Sequence, residues 1–176
     1  MPRLLRLFAA LVAAVALVAS PAAAAPSTTY NATDAAFAAM MLPHHQGGVD
    51  LGELAATKGT NADVRRLGQN IIKTQSRQAK TLERMVRRFQ TKASTRPEVM
   101  RRNELDMAKL KRLTGADFDR AWLDVISAHH MAAIMMADME ARGGRDSSAR
   151  SLARRIVKEQ RSELAQFNRL TVQLGG

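Results

Sequence analysis

All four histidines of this 176-residue chain fall in two adjacent pairs, His44-His45 and His129-His130. Neutral imidazole is the commonest protein ligand for transition metals and suits copper, zinc, iron and nickel. A lone inward histidine is usually a satisfied core residue. Two equivalent pairs that use up every histidine point instead to a metal centre. Met40 and Met41 lie four residues before His44 and His45, one helical turn away on the same face. Met136 follows the second pair on the inward side, with Met131, Met135 and Met139 recurring beside it at every fourth position. For those last three, plain packing is at least as good an explanation, because methionine fills core gaps readily. Thioether is soft and selects Cu(I), so His and Met together can hold copper in either oxidation state; zinc is the second candidate. The chain has no cysteine, which excludes disulfides and thiolate sites.

These residues need elements to position them, and the sequence predicts an all-α fold. No segment of the mature chain alternates with period two, and Gly and Pro cluster between long segments of helical period. Helices are expected over 33–57, 62–91, 97–113, 114–142 and 147–170, the fourth opened by a capping box from Thr114 to Asp117. The second half repeats the first at a shift of 85 residues without a gap: Phe37 falls on Trp122, His44-His45 on His129-His130, Gly59 on Gly144, Ile71 on Ile156 and Gln75 on Gln160. Each half is then one αα-hairpin (34–90 and 117–172, joined by a connector over 91–116), and together they make a four-helix bundle over 33–172.

The helical period sends His44 and His129 into the bundle centre and leaves His45 and His130 about 100° away on the flank. Residues equidistant from a hairpin loop share a level. That rule sets His44 opposite Gln75, His129 opposite Gln160, Met41 opposite Gln78 and Ile126 opposite Glu163. Gln75 and Gln160 could ligate a metal or hydrogen-bond the imidazoles. Glu163 could back the site or pair with an arginine. Pro43 and Gly47-Gly48 beside the first pair predict a site more open than the second.

Arg3 and Arg6, an apolar run through Ala19 and the alanines to Ala25 have the form of a secretory signal peptide over 1–25, followed by a flexible segment over 26–32. No second apolar run follows, so a secreted protein without an integral membrane segment is expected, whether extracellular, periplasmic or at the cell wall. The net charge is +11, of which Arg3 and Arg6 carry two. The rest is scattered, as in a bundle whose solvent faces are coated with arginine, and forms no basic tract.

At these motifs the sequence resembles the family catalogued as domain of unknown function 305. The resemblance rests on Phe37, Met40 to His45 and Gln75, and again on Phe118 to Trp122, His129-His130, Gln160 and Glu163, and it spans about residues 33–170. It implies a ferritin-like four-helix bundle, export, and for some members copper binding and copper tolerance. The chain departs from the family pattern at Leu51, where a Met is usual, and at Gln78, where the family has Glu.

The leading expectation is an exported metal-binding protein that sequesters or delivers copper, with a copper-handling protein as its partner. It is not expected to be an enzyme. A di-iron oxidase needs Glu-x-x-His on two helices, whereas Met41 and Ile126 stand three residues before His44 and His129. The alternative is a basic protein that binds an envelope polymer or nucleic acid and keeps its histidines for structure. Few aromatics and no nucleic-acid motif count against that reading.

Overall fold

The structure is a computed structural model that describes residues 29–94 and 97–175. The expected signal peptide lies outside the described residues. Five helices follow in order: α1 (Ala32–Lys58), α2 (Ala62–Arg88), α3 (Pro97–Arg112), α4 (Gly115–Gly143) and α5 (Ser147–Gln173). Helix α1 packs along α2 and α4 along α5, and the two hairpins meet chiefly through α1 and α4. The fold is the all-α bundle of two hairpins that the repeat predicts, with α3 as the connecting helix.

Local chemistry sets the ends. Asn31 caps α1, accepting from the backbone N–H of Thr33 and Asp34, while Asp34 accepts from the Asn31 N–H. Tyr30 stacks on Phe89 with ring centroids 4.7 Å apart. The bundle therefore begins before residue 33, and residues 30–32 belong to it. Asn61 and Asp146, which are 85 residues apart, cap α2 and α5 in the same way. The capping box expected at Thr114 does not form: Thr114 makes no side-chain cap bond, and Asp117 turns to Arg120 at 2.6 Å. Helix α1 runs unbroken through Pro43.

Two apolar clusters fill the bundle, one toward each end. The first joins Phe37, Met41 and Leu42 of α1 to Leu82 and Met85 of α2, Ala133 and Ala137 of α4, and Leu152 and Ile156 of α5. The second joins Leu51 and Ala55, Leu67 and Ile71, Trp122 and Ile126, and Phe167 and Leu170. On every one of the four long helices, polar residues turn inward between the clusters: His44-His45, Gln75 with Gln78, His129-His130, and Gln160 with Glu163. A polar layer thus crosses the middle of the core.

A crossed pair of contacts ties the hairpins together. Asp119 of α4 accepts from the N–H groups of Thr60 and Asn61 and from the Thr60 hydroxyl, all in the loop of the first hairpin. Asp34 of α1 accepts from the N–H groups of Arg145 and Asp146 in the loop of the second, at 3.0 and 2.9 Å. Each loop is finished by a buried carboxylate from the opposite hairpin.

Candidate metal centre

The helix period places His44 on the inner stripe of α1 and His129 on that of α4, and the structure brings them together across the hairpin interface. Their ring centroids are 3.8 Å apart at an interplanar angle of 37°. The two histidines face one another, not a glutamine as level-matching predicts. His45 and His130 are fully buried, with no surface exposure, so they do not merely flank the site. Each turns to its own hairpin partner. His45 Nε2 lies 2.7 Å from Gln78 Oε1, and His130 Nε2 lies 2.8 Å from Glu163 Oε2. Gln78 in turn donates to Glu159 at 2.7 Å, and the Phe167 ring meets His130 edge-on at 4.9 Å.

The register differs from the equidistance rule for a physical reason. Side chains on a helix lean toward its N-terminus. On α1 that direction is away from the loop, and on α2 it is toward the loop. Contacts therefore form between an α1 residue and an α2 residue about four positions, or about 6 Å, further out. Gln78 meets His45 instead of Met41, and Glu163 meets His130 instead of Ile126 or an arginine. By the same offset Gln75 packs over Gly48: a Cβ at Gly48 would fall 2.1 Å from Gln75 Oε1 and 3.0 Å from His129 Cε1. Gly48 thus makes room for an amide and an imidazole, and the first pair is no more open than the second. His44 and His129 are alike in exposure, at 6% and 8%.

Several polar atoms of the layer are buried without a partner. The Gln75 and Gln160 amides have neither nitrogen nor oxygen satisfied, and His44 Nδ1 is unpaired. Neither ring nitrogen of His129 is in a well-formed hydrogen bond. Such orphans are rare in native cores and usually mark an absent water, ion or ligand. Burial, followed at His44 and His129 by the mutual repulsion of the imidazoles, drives His44, His45 and His129 toward the neutral form that binds metals. The pKa of His44 falls to about 3 and that of His45 to about 4, and His129 lies well below the usual range. Burial alone leads at His45, with the Gln78 hydrogen bond opposing it.

Of the methionines named with these histidines, Met41 is wholly buried and Met136 half-buried, both in the first apolar cluster. Met40 is half-buried on α1. Met131, Met135 and Met139 do not pack; they are exposed. Among the described residues, no group of three His, Cys, Asp or Glu side chains converges as a ready-made metal cage. The donor set is therefore two facing imidazoles with two unsatisfied amides nearby. That set fits an ion that prefers imidazole, such as copper or zinc, better than one that demands an octahedron of oxygens.

Sequence motifs alone would not have shown Gly48 as a cradle, Glu159 behind Gln78, or the two crossed aspartates. The repeat did carry one signal for the layer. Gln78 and Glu163 are 85 residues apart, like His45 and His130, so each histidine–partner pair recurs as a unit.

No helix among the described residues is long and apolar enough to cross a membrane. No curated protein matches the chain. Solved structures do. A DUF305 protein from Streptomyces coelicolor is 24% identical, covering 82% of this chain and 94% of that chain, with a TM-score of 0.71. CopM in its Cu(I)-bound form is 25% identical over 83% of this chain and 100% of its own, also with a TM-score of 0.71. CopM has also been solved with Cu(II) and with Ag bound. A DUF305 fragment from Deinococcus radiodurans is 25% identical over 81% of this chain and 97% of its own, with a TM-score of 0.72. The model of the family described as domain of unknown function (DUF305) matches residues 34–171, so the doubled hairpin and its histidine layer identify the chain as a member of that family.

Proposed function

We propose that this protein is exported and binds copper in its histidine layer, holding and releasing the ion without catalysing a reaction. The observation that carries the reading is the facing pair His44 and His129, with ring centroids 3.8 Å apart in a buried layer whose Gln75 and Gln160 amides lack partners. The binding of Cu(I), Cu(II) and Ag by the similar protein CopM supports copper as the ion. The composition of residues 1–25 supports export. Sequestration or hand-over to a copper-handling protein is the role such a site would serve. When bound, the ion would be held by His44 and His129, with Gln75 and Gln160 as neighbours that orient the rings or complete the shell.

Titration of metal-free protein with Cu(I), Cu(II) and Zn(II), beside His44→Gln/His129→Gln and His45→Gln/His130→Gln variants, tests this. The first double variant should lose the tightest copper site by at least tenfold in affinity while keeping its helical circular dichroism. The second should bind with a smaller deficit and lose stability, since it breaks the pairs with Gln78 and Glu163. Equal copper affinity of the folded His44→Gln/His129→Gln variant and the wild type would overturn the assignment.

A further inference from the structure

Three methionines stand on the outward face of α4. Met131, Met135 and Met139 are 54%, 69% and 65% exposed, and with Leu105 and Val172 they are the exposed large hydrophobics of the described residues. At about 100° per residue they sit roughly 200°, 240° and 280° around α4 from His129, which is the side away from the core. Burial in a core cannot explain them. Nor does the fold ask for apolar groups there, because the first repeat answers that question. The matching positions on α1 are Gln46, Asp50 and Leu54: the first two are exposed and polar, and only Leu54 packs partly against the core.

What the three residues share is sulfur. A thioether is a neutral soft donor with no proton to lose, so it binds Cu(I) in preference to harder ions, at any ordinary pH. Spacing decides how many can act together. Residues at i and i+4 have Cβ atoms about 5–6 Å apart, and methionine's three rotatable bonds let two sulfurs close on one ion. Met131 and Met139 are eight residues apart, or about 12 Å along the axis, too far to share an ion without strain. The geometry therefore gives two overlapping pairs, Met131–Met135 and Met135–Met139, with Met135 common to both.

We propose that this stripe is a second, surface copper site that takes one Cu(I) through two thioethers, with Met135 the obligatory ligand. It is independent of the histidine layer, which lies on the opposite side of α4. Its exposure suits rapid loading and exchange, where the buried layer suits retention.

The test labels the methionine methyl groups of the purified protein with carbon-13 and adds Ag(I) as a redox-inert probe, then Cu(I) under anaerobic conditions against a competing chelator. The methyl signals of Met131, Met135 and Met139 should shift, while that of buried Met85 stays put. Met135→Leu should weaken the surface site at least tenfold, because both pairs are broken. Met131→Leu and Met139→Leu should each weaken it only about twofold, because one of two equivalent pairs survives. A variant with all four histidines changed to Gln should keep the methyl shifts, so failure here and failure of the histidine site are read separately. Leucine preserves the apolar surface and removes only the sulfur. Three equal single-variant effects, methyl signals that ignore Ag(I), or undiminished binding by Met135→Leu would each overturn the proposal. The last would leave the stripe as a protein-docking surface at most.

Discussion

Acidification should destabilise the metal-free protein from pH 6.5 downward, well above the range in which carboxylates usually govern acid stability. Unfolded histidines take up protons near pH 6.5. In the fold, burial holds His45 neutral to about pH 4, His44 to about pH 3, and His129 neutral well below its usual range. Across that window the unfolded chain binds more protons, so stability drops by about 1.4 kcal/mol per pH unit for each such histidine.

Glu140 works in the opposite direction. It is shielded from solvent, and burial, then a hydrogen bond with Asp34 and the charges of Asp34 and Asp146, raise its pKa to about 8. Its contribution is complete below pH 4.5 and is lost as the pH rises to 8, at up to about 1.4 kcal/mol per unit. With His44 and His45 against one glutamate, the net loss between pH 6.5 and 4.5 is about 1.4 kcal/mol per unit, and His129 adds to it in the same direction; typical domain stability is about 5–15 kcal/mol. Urea midpoints followed by circular dichroism should peak between pH 6.5 and 7 and fall on both sides. Glu140→Gln should flatten the alkaline side and steepen the acid side, where the glutamate otherwise offsets part of the histidine effect. A midpoint unchanged from pH 7 to 4.5 would show that the histidines are not held neutral in the fold.

The second large effect is expected at Asp119. Removing its carboxylate by Asp119→Ala leaves two loop N–H groups and the Thr60 hydroxyl without their acceptor, at a position only 1% exposed. Hydrogen bonds to a charged group contribute about 1.5–3 kcal/mol each and are not additive when one group serves all of them, so a loss of about 3 kcal/mol is expected. Thr60→Val removes one of the three and should cost about 1 kcal/mol. Asp34→Ala should cost about as much as Asp119→Ala, and it should also bring down the pKa of Glu140, whose rise depends partly on Asp34. Asp34 itself is held below its usual pKa: burial would raise it, but backbone N–H groups of Asn31, Arg145 and Asp146 outweigh that penalty. An Asp119→Ala midpoint within about 0.5 kcal/mol of wild type, the range of ordinary surface changes, would show that the contact carries no weight.

The helices and their pairing were legible in the sequence because one signal was written twice: apolar residues at helical period, repeated at 85 residues, leave few other ways to bury themselves. The histidine layer was legible for the same reason. Its internal contacts were not. Counting residues from a loop fixes the levels of Cα atoms, whereas His45 and Gln78 meet through side chains that lean in opposite senses. The crossed aspartates were out of reach too, since their partners are backbone N–H groups 58 to 112 residues away. At Thr114 a short motif misled, because Arg120 competes for Asp117. The methionine stripe was visible as a period, but its solvent exposure came only with the structure.

Asp34 reaches the loop at 145–146 and Asp119 reaches the loop at 60–61, an exchange in which each half gives the other what it receives. That reciprocity is the signature of an isologous two-fold interface, in which a patch recognises a copy of itself. The present chain is in this sense a homodimer made covalent. Its connector lets the two copies differ, so that α4 carries three exposed methionines where α1 has Gln46, Asp50 and Leu54, while one imidazole from each half meets the other between them.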